Sequence, residues 1–135
     1  MSLITASEVN SLAFNSQIDS ALIRDEIIMI AETKYIIPAV TQAVYNDLLV
    51  HPGFYATLIQ DCIKPYLAYC VKFLLYSQYQ LEITPNLQRA DIVSELNLIV
   101  KAKKDLLVTQ LLSGNYPLYI QPSKKLTAGF LVKRP

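Results

Sequence analysis

Apolar side chains recur at helical spacing almost from the start of this 135-residue chain. Thr5-Ala6-Ser7-Glu8 is a capping box: the Thr5 hydroxyl can accept from the amide three residues on, and the Glu8 carboxylate can reach back. It opens a short helix, about Ala6 to Ala13, with Val9, Leu12 and Ala13 apolar, and Asn15-Ser16 breaks it. A second helix starts near Ile18 or Asp19 and runs to about Ile37, where Pro38 ends or kinks it by removing a backbone donor. A third segment, about Ala39 to Val50, closes at His51-Pro52-Gly53. From Phe54 the helical pattern continues to about Glu82. Pro65 makes it either one kinked helix or two helices with the proline in the first turn of the second. Ile83-Thr84-Pro85-Asn86 is a clear break. The last helix, about Arg89 to Leu112, stops at Ser113-Gly114-Asn115.

Beyond that stop, Tyr116 to Pro135 holds three prolines and no helical period, and reads as an extended arm. Its apolar residues need cover, and Phe130-Leu131-Val132 is β-prone, suited to adding a strand to a partner's open edge. The pattern predicts an all-α small bundle of four to six helices over residues 1–115 and an extended C-terminal docking arm over 116–135. Neither an internal repeat nor a second domain is visible.

Two helices use their apolar residues differently. In the last, Ile92, Val93, Leu96, Ile99, Val100, Leu107 and Leu111 share one side, interrupted by Lys103, whose stem can snorkel to the edge. In the second, Ile18, Leu22 and Met29 point one way, Ile23, Ile27 and Ile30 another, and Ile28 and Ala31 a third. A helix apolar on several sides is central in a core or shared between subunits. Ile23, Ile27 and Ile30 are the candidate subunit contacts on it. Tyr66, Tyr69, Phe73 and Tyr76 share a face that fits core packing or an interface, where aromatics are enriched.

Composition sharpens this picture. Hydrophobic residues make up 53% and charged residues 17%, against a usual ~25% charged. That excludes a disordered tail and leaves more apolar material than one small domain normally needs. No window reaches the roughly 20 apolar residues of a membrane span, and the N-terminus lacks a signal peptide's features. The expectation is a soluble, cytosolic chain, with its apolar excess buried against itself or other subunits. The net charge of +1 hides an asymmetry: residues 1–100 sum to −5 and residues 101–135 to +6. Opposite charges at the two ends suit head-to-tail attraction between copies, or a nucleic-acid tail.

The search for chemistry comes back sparse. Gly53, Gly114 and Gly129 stand too far apart for a phosphate-binding loop. Cys62 and Cys70 lie ~12 Å apart along a helix, beyond the ~7 Å reach of a disulfide, and read as small buried hydrophobes. His51 is the single histidine, too little for a zinc site or a cysteine–histidine pair. Asp25 and Glu26 diverge by about 100° on a helix, and Asp91 and Glu95 have no third carboxylate beside them. No catalytic residue, cofactor or metal is expected.

The stretch Ile30-Ala-Glu-Thr-Lys-Tyr35-Ile-Ile-Pro38-Ala-Val-Thr-Gln-Ala-Val-Tyr45-Asn-Asp-Leu48 goes beyond composition. Together with Leu3-Ile4-Thr5, Glu8, Ile18-Asp19 and Leu22-Ile23, it resembles the head–tail connector (adaptor) proteins of tailed bacteriophages, particularly the branch found in phages of Bacteroidetes. The matching positions are Ala31, Glu32, Tyr35, Ile36, Pro38, Tyr45 and Leu48, and the likeness covers about the first fifty residues. The family often has glycine where this chain has Thr41. The resemblance implies a mostly helical subunit of a ring, commonly twelve-fold, that docks on the portal protein and presents a platform to tail or further connector proteins. DNA would pass through its channel without sequence-specific binding. The location would be the virion neck, assembled in the host cytoplasm, with no membrane involved.

In that reading Tyr116, Tyr119, Lys124, Lys125, Phe130, Leu131, Lys133 and Arg134 form the arm's contacts with a neighbour. Two other readings compete: a soluble helical adaptor or regulator acting as monomer or dimer, and a nucleic-acid binder using the basic C-terminus.

Overall fold

The computed structural model describes residues 3–79 and 89–120. The chain is an all-α bundle; among the described residues there are five helices and no strand. We number them α1 (Ala6–Ala13), α2 (Asp25–Val40), α3 (Gln42–Val50), α4 (residues 56–77) and α5 (Arg89–Ser113). A single 3-10 turn, Ser20–Leu22, sits between α1 and α2. The expected break at Ile83–Asn86 and the arm beyond Ile120 lie outside the described residues. The long pattern from Phe54 ends at Ser77, not at Glu82.

α4 is the centre of the bundle and packs against α1, α2 and α5. Its Leu58, Ile63, Tyr66, Leu67, Val71 and Leu74 are buried, so the shared aromatic face begins inside the core. Tyr69, Phe73 and Tyr76 continue it, half-buried against the chain's own apolar residues. Lys72 lies among them: its ammonium donates to the Ala13 carbonyl at 2.9 Å, closing the end of α1, and sits 4.9 Å from the Phe14 ring centre. On α5, Leu96, Val100, Leu107 and Leu111 form the buried stripe, and Lys103 lies over the Tyr69 ring.

The two interior prolines are accommodated by one device used twice. A proline has no N–H, and its ring clashes with the carbonyl four residues back. Ahead of Pro38, residues Glu32–Ile36 form a π turn, and Ile37 donates to the Glu32 carbonyl five residues back. Ahead of Pro65, Ile59–Ile63 do the same, with Lys64 donating to the Ile59 carbonyl. The wider turn moves the obstructing carbonyl aside. Pro38 therefore does not end α2, and α4 is one helix rather than two.

The break that Pro38 signalled falls three residues later. Thr41 has φ 78° and ψ 156°, a backbone region occupied almost only by glycine. α2 and α3 meet there at 110°. Thr41 also caps α3, its hydroxyl accepting from the Val44 N–H at 3.5 Å. Relief of backbone strain of order 1–3 kcal/mol outweighs the few tenths separating glycine from threonine as a cap and glycine's extra chain entropy. Thr41→Gly is expected to stabilise the fold by about 1 kcal/mol, whereas Thr41→Ala keeps the strain, loses the cap and destabilises. Urea titration of both variants checks the opposite signs.

The first cap and the first break form as the sequence indicates, but α2 starts at Asp25 and not near Ile18 or Asp19; Asp19 instead caps the 3-10 turn. Both halves of the Thr5–Glu8 capping box are made. The Asn15-Ser16 break has positive φ at both residues. Buried Asn10 fastens it by donating to the Ile18 carbonyl at 2.6 Å and accepting from the Ile18 N–H at 3.4 Å.

Candidate functional site

The sequence after Val44 places Leu48, Leu49 and Val50 consecutively on α3, and a helix cannot turn three successive residues into one core. Leu48 is buried; Leu49 is 40% and Val50 70% exposed. The chain then turns at His51-Pro52-Gly53 and presents Phe54, 55% exposed. Between α3, this turn and the start of α4 lies an apolar groove of about 410 Å³, lined by Leu3, Leu48, Leu49, Pro52, Ala56 and Ile59 among others. Lys64 stands at its edge, paired with Glu8 of α1. Burial pushes the Glu8 carboxyl upward, but hydrogen bonds from Lys64 and the Thr5 N–H hold it below its ordinary value.

Next to the groove, Tyr55 is fully buried and anchors an aromatic cluster. Its ring stacks on Tyr116 at 5.4 Å between centroids, 12° from parallel, and Phe54 meets both edge-on. The Tyr55 hydroxyl donates to Asp47 Oδ2 at 2.6 Å. Burial and the Asp47 carboxylate push that hydroxyl's pKa up to about 12. Gly114 makes the reversal after α5 workable: a Cβ there would lie 2.5 Å from the Tyr116 ring. The arm's first residues thus return onto their own bundle, with Tyr116 and Tyr119 half-buried and Leu118 and Ile120 exposed beside them. A second, smaller cleft of about 190 Å³ runs between Thr57, Asp61, Cys62, Leu106, Gln110 and Tyr116.

The candidate contacts on α2 divide. Ile23 and Ile27 are 2% and 1% exposed, inside the chain's own core. The expectation that they meet a neighbouring subunit is corrected. Ile23 precedes α2 and caps the 3-10 turn, which folds it inward; Ile27 shares the inward side with Ile28 and Ala31. Ile30 is 42% exposed and, with Met29, forms the apolar surface that α2 does present; Leu22, in the 3-10 turn before it, is exposed as well. Lys124, Lys125, Phe130, Leu131, Lys133 and Arg134 lie outside the described residues. Leu49, Val50 and Phe54 were not singled out from the sequence, although the unbroken apolar triplet before a Pro-Gly turn is a readable signal.

The motif residues that carry the family resemblance converge on one joint. Ala31, Ile36 and Leu48 are fully buried. Glu32, 3% exposed, accepts from the Tyr45 hydroxyl and from the Leu3 N–H, each at 3.2 Å through Oε1. The joint ties α2, α3 and the N-terminal segment together. Burial raises the Glu32 carboxyl above its ordinary value of 4.5, against the two hydrogen bonds, which favour the charged form. The folded chain therefore binds this proton more readily than the unfolded one. Stability from this group is present below 4.5 and is lost as pH rises through the raised value. Glu32→Gln keeps an oxygen acceptor and cannot titrate. Its melting temperature relative to the parent is expected to climb as pH rises from 4.5 to neutrality, read by thermal melts across that range.

Cys62 and Cys70 are both free and buried. Burial pushes the Cys70 thiol up to about 12 and raises Cys62 as well, with Asp61 adding to the latter. Among the described residues no three His, Cys, Asp or Glu side chains come together as a metal site. No single helix among them is long and apolar enough to cross a membrane. The groove is lined mainly by apolar side chains, and the aromatic cluster beside it holds its polar pair, Tyr55 and Asp47, in a hydrogen bond. Neither known family models, nor characterised proteins, nor solved structures gave a match to this chain.

Proposed function

We propose that this chain is a structural subunit of a phage head–tail connector ring, docking on the portal and joining capsid to tail around the DNA channel. The observation that carries the reading is Thr41. The resembling family often has glycine at this position, and the backbone here takes a conformation that favours glycine. A likeness confined to helical periodicity would not predict where a single positive φ falls. The motif positions around it, from Ala31 to Leu48, form one continuous joint, as residues of a shared fold would. Exposed Leu22, Met29, Ile30, Leu49, Val50 and Phe54 supply apolar surface for neighbours.

Electron microscopy of the full chain mixed with the portal protein from the same genome tests the reading. Rings seated on the portal, with a whole-number stoichiometry of chain to portal subunit, are the expected result. A chain that stays monomeric or dimeric and does not sediment with the portal overturns it, leaving the free helical adaptor. Retention on DNA in place of portal would favour the basic C-terminus as a nucleic-acid element.

A further inference from the structure

We infer that the groove between α3 and α4 is the receptor for the C-terminal segment of a second copy of this chain, residues 121–135. This deepens the ring reading and rests on it for the number of copies joined. Three observations lead there. First, the groove is apolar and open, and Leu49, which lines it, is 40% exposed. Second, the segment has the complementary chemistry. Leu126, Phe130, Leu131 and Val132 supply apolar side chains, and Lys124, Lys125, Lys133 and Arg134 give it a charge of +4 with no acidic residue. Residues 1–120 hold eleven acidic and eight basic residues, a net −3, so attraction to the body as a whole has the right sign, and Lys64, the one charged residue lining the groove among the described residues, is paired with Glu8.

Third, the chain's own arm leaves the groove open. The arm is pinned at Tyr116, whose ring contacts Phe54, and Phe54 follows directly on Gly53 of the groove wall. Leu118 and Ile120 follow the pin and are the apolar residues of the same chain placed to fill the groove, yet they are 45% and 59% exposed and neither lines it. The contact is heterologous, one copy's tail in the next copy's groove. Such contacts close into rings or continue as filaments.

Cysteine cross-linking of full-length chains tests this. A Cβ at Gly53 would meet no other atom within 4 Å, so Gly53→Cys leaves the groove intact. Ala128→Cys places a thiol within the segment. One chain carrying Gly53→Cys is mixed with another carrying Ala128→Cys under mild oxidation, and abundant linkage between the two is expected. Adding Leu49→Lys to the Gly53→Cys chain should cut that linkage about tenfold, equivalent to ~1.4 kcal/mol of docking free energy. Circular dichroism verifies that this exposed substitution leaves the helices intact. No linkage between different chains, or linkage indifferent to Leu49→Lys, overturns the proposal. So does a chain carrying both cysteines that links internally in preference to linking with others. When both cysteines are in one chain at high concentration, a ladder beyond the dimer supports docking and the ring together. Linkage that stops at the dimer supports docking by a second copy and removes the ring.

Discussion

Ile27→Asp is expected to abolish the folded state, not to trim an interface. Ile27 is 1% exposed on the inward side of α2, beside Ile28 and Ala31. A carboxylate there would sit in an apolar core with no cation to pair it. An unpaired buried charge combined with a lost aliphatic side chain belongs to the class of substitutions costing more than about 4 kcal/mol. A domain of this size has only some 5–15 kcal/mol in total. The control lies three residues on: Ile30→Asp, at a 42% exposed position of the same helix, should keep the cooperative melt. Far-UV circular dichroism on heating distinguishes them. A melt for Ile27→Asp within a few degrees of the parent would show that α2 turns a different face to the core.

Tyr55→Ala should be nearly as damaging. Tyr55 is fully buried and holds three elements at once: α3 through Asp47, the Phe54 turn, and the start of the arm through Tyr116. Removing a buried aromatic ring costs about 3–5 kcal/mol, and Tyr116 loses the surface it stacks on. Tyr55→Phe separates ring from hydroxyl. It keeps the stack and gives up a hydrogen bond to a carboxylate, worth about 1.5–3 kcal/mol. The lower end applies, because Asp47 is only half-buried and water can replace the lost donor. Chemical denaturation of the two variants should therefore give a large and a small loss, in that order. Equal losses would mean that the Asp47 hydrogen bond, and not the ring, organises this corner. Loss of the stack should also free the arm's first residues, so Tyr55→Ala is expected to make the chain cleavable by protease after Tyr116.

Local chemistry was legible in the sequence wherever a few adjacent residues settle the structure. The Thr5–Glu8 box needs only four residues to satisfy two orphan amides, and it is formed as written. The Asn15-Ser16 break, the His51-Pro52-Gly53 turn and the end of α5 at Ser113 follow for the same reason. So does the stripe of Leu96, Val100, Leu107 and Leu111, because helical period alone assigns those residues to one side. Gly114 was readable as a stop, but its reason is not: the Tyr116 ring occupies the place of a side chain, which only the returning arm reveals.

Tertiary structure decided what periodicity leaves degenerate. A proline states that a hydrogen bond is missing, not how the helix answers. Both helices answer with a π turn and run on, because packing on either side holds the helix axis together. The break then moves to Thr41, a residue whose own preferences argue against the conformation it adopts. Likewise α2 is apolar on several sides, and its sequence cannot rank them. Ile23 and Ile27 went inward and Met29 and Ile30 outward because α4 lies along one side only. The groove belongs to this second class. It joins Leu3, Leu48 and Ile59, residues distant in the chain that the 110° turn at Thr41 brings together, and no local pattern encodes a space between three segments. Sequence sets each helix through contacts one turn apart; the surface left for a partner depends on which long-range contacts have already been made.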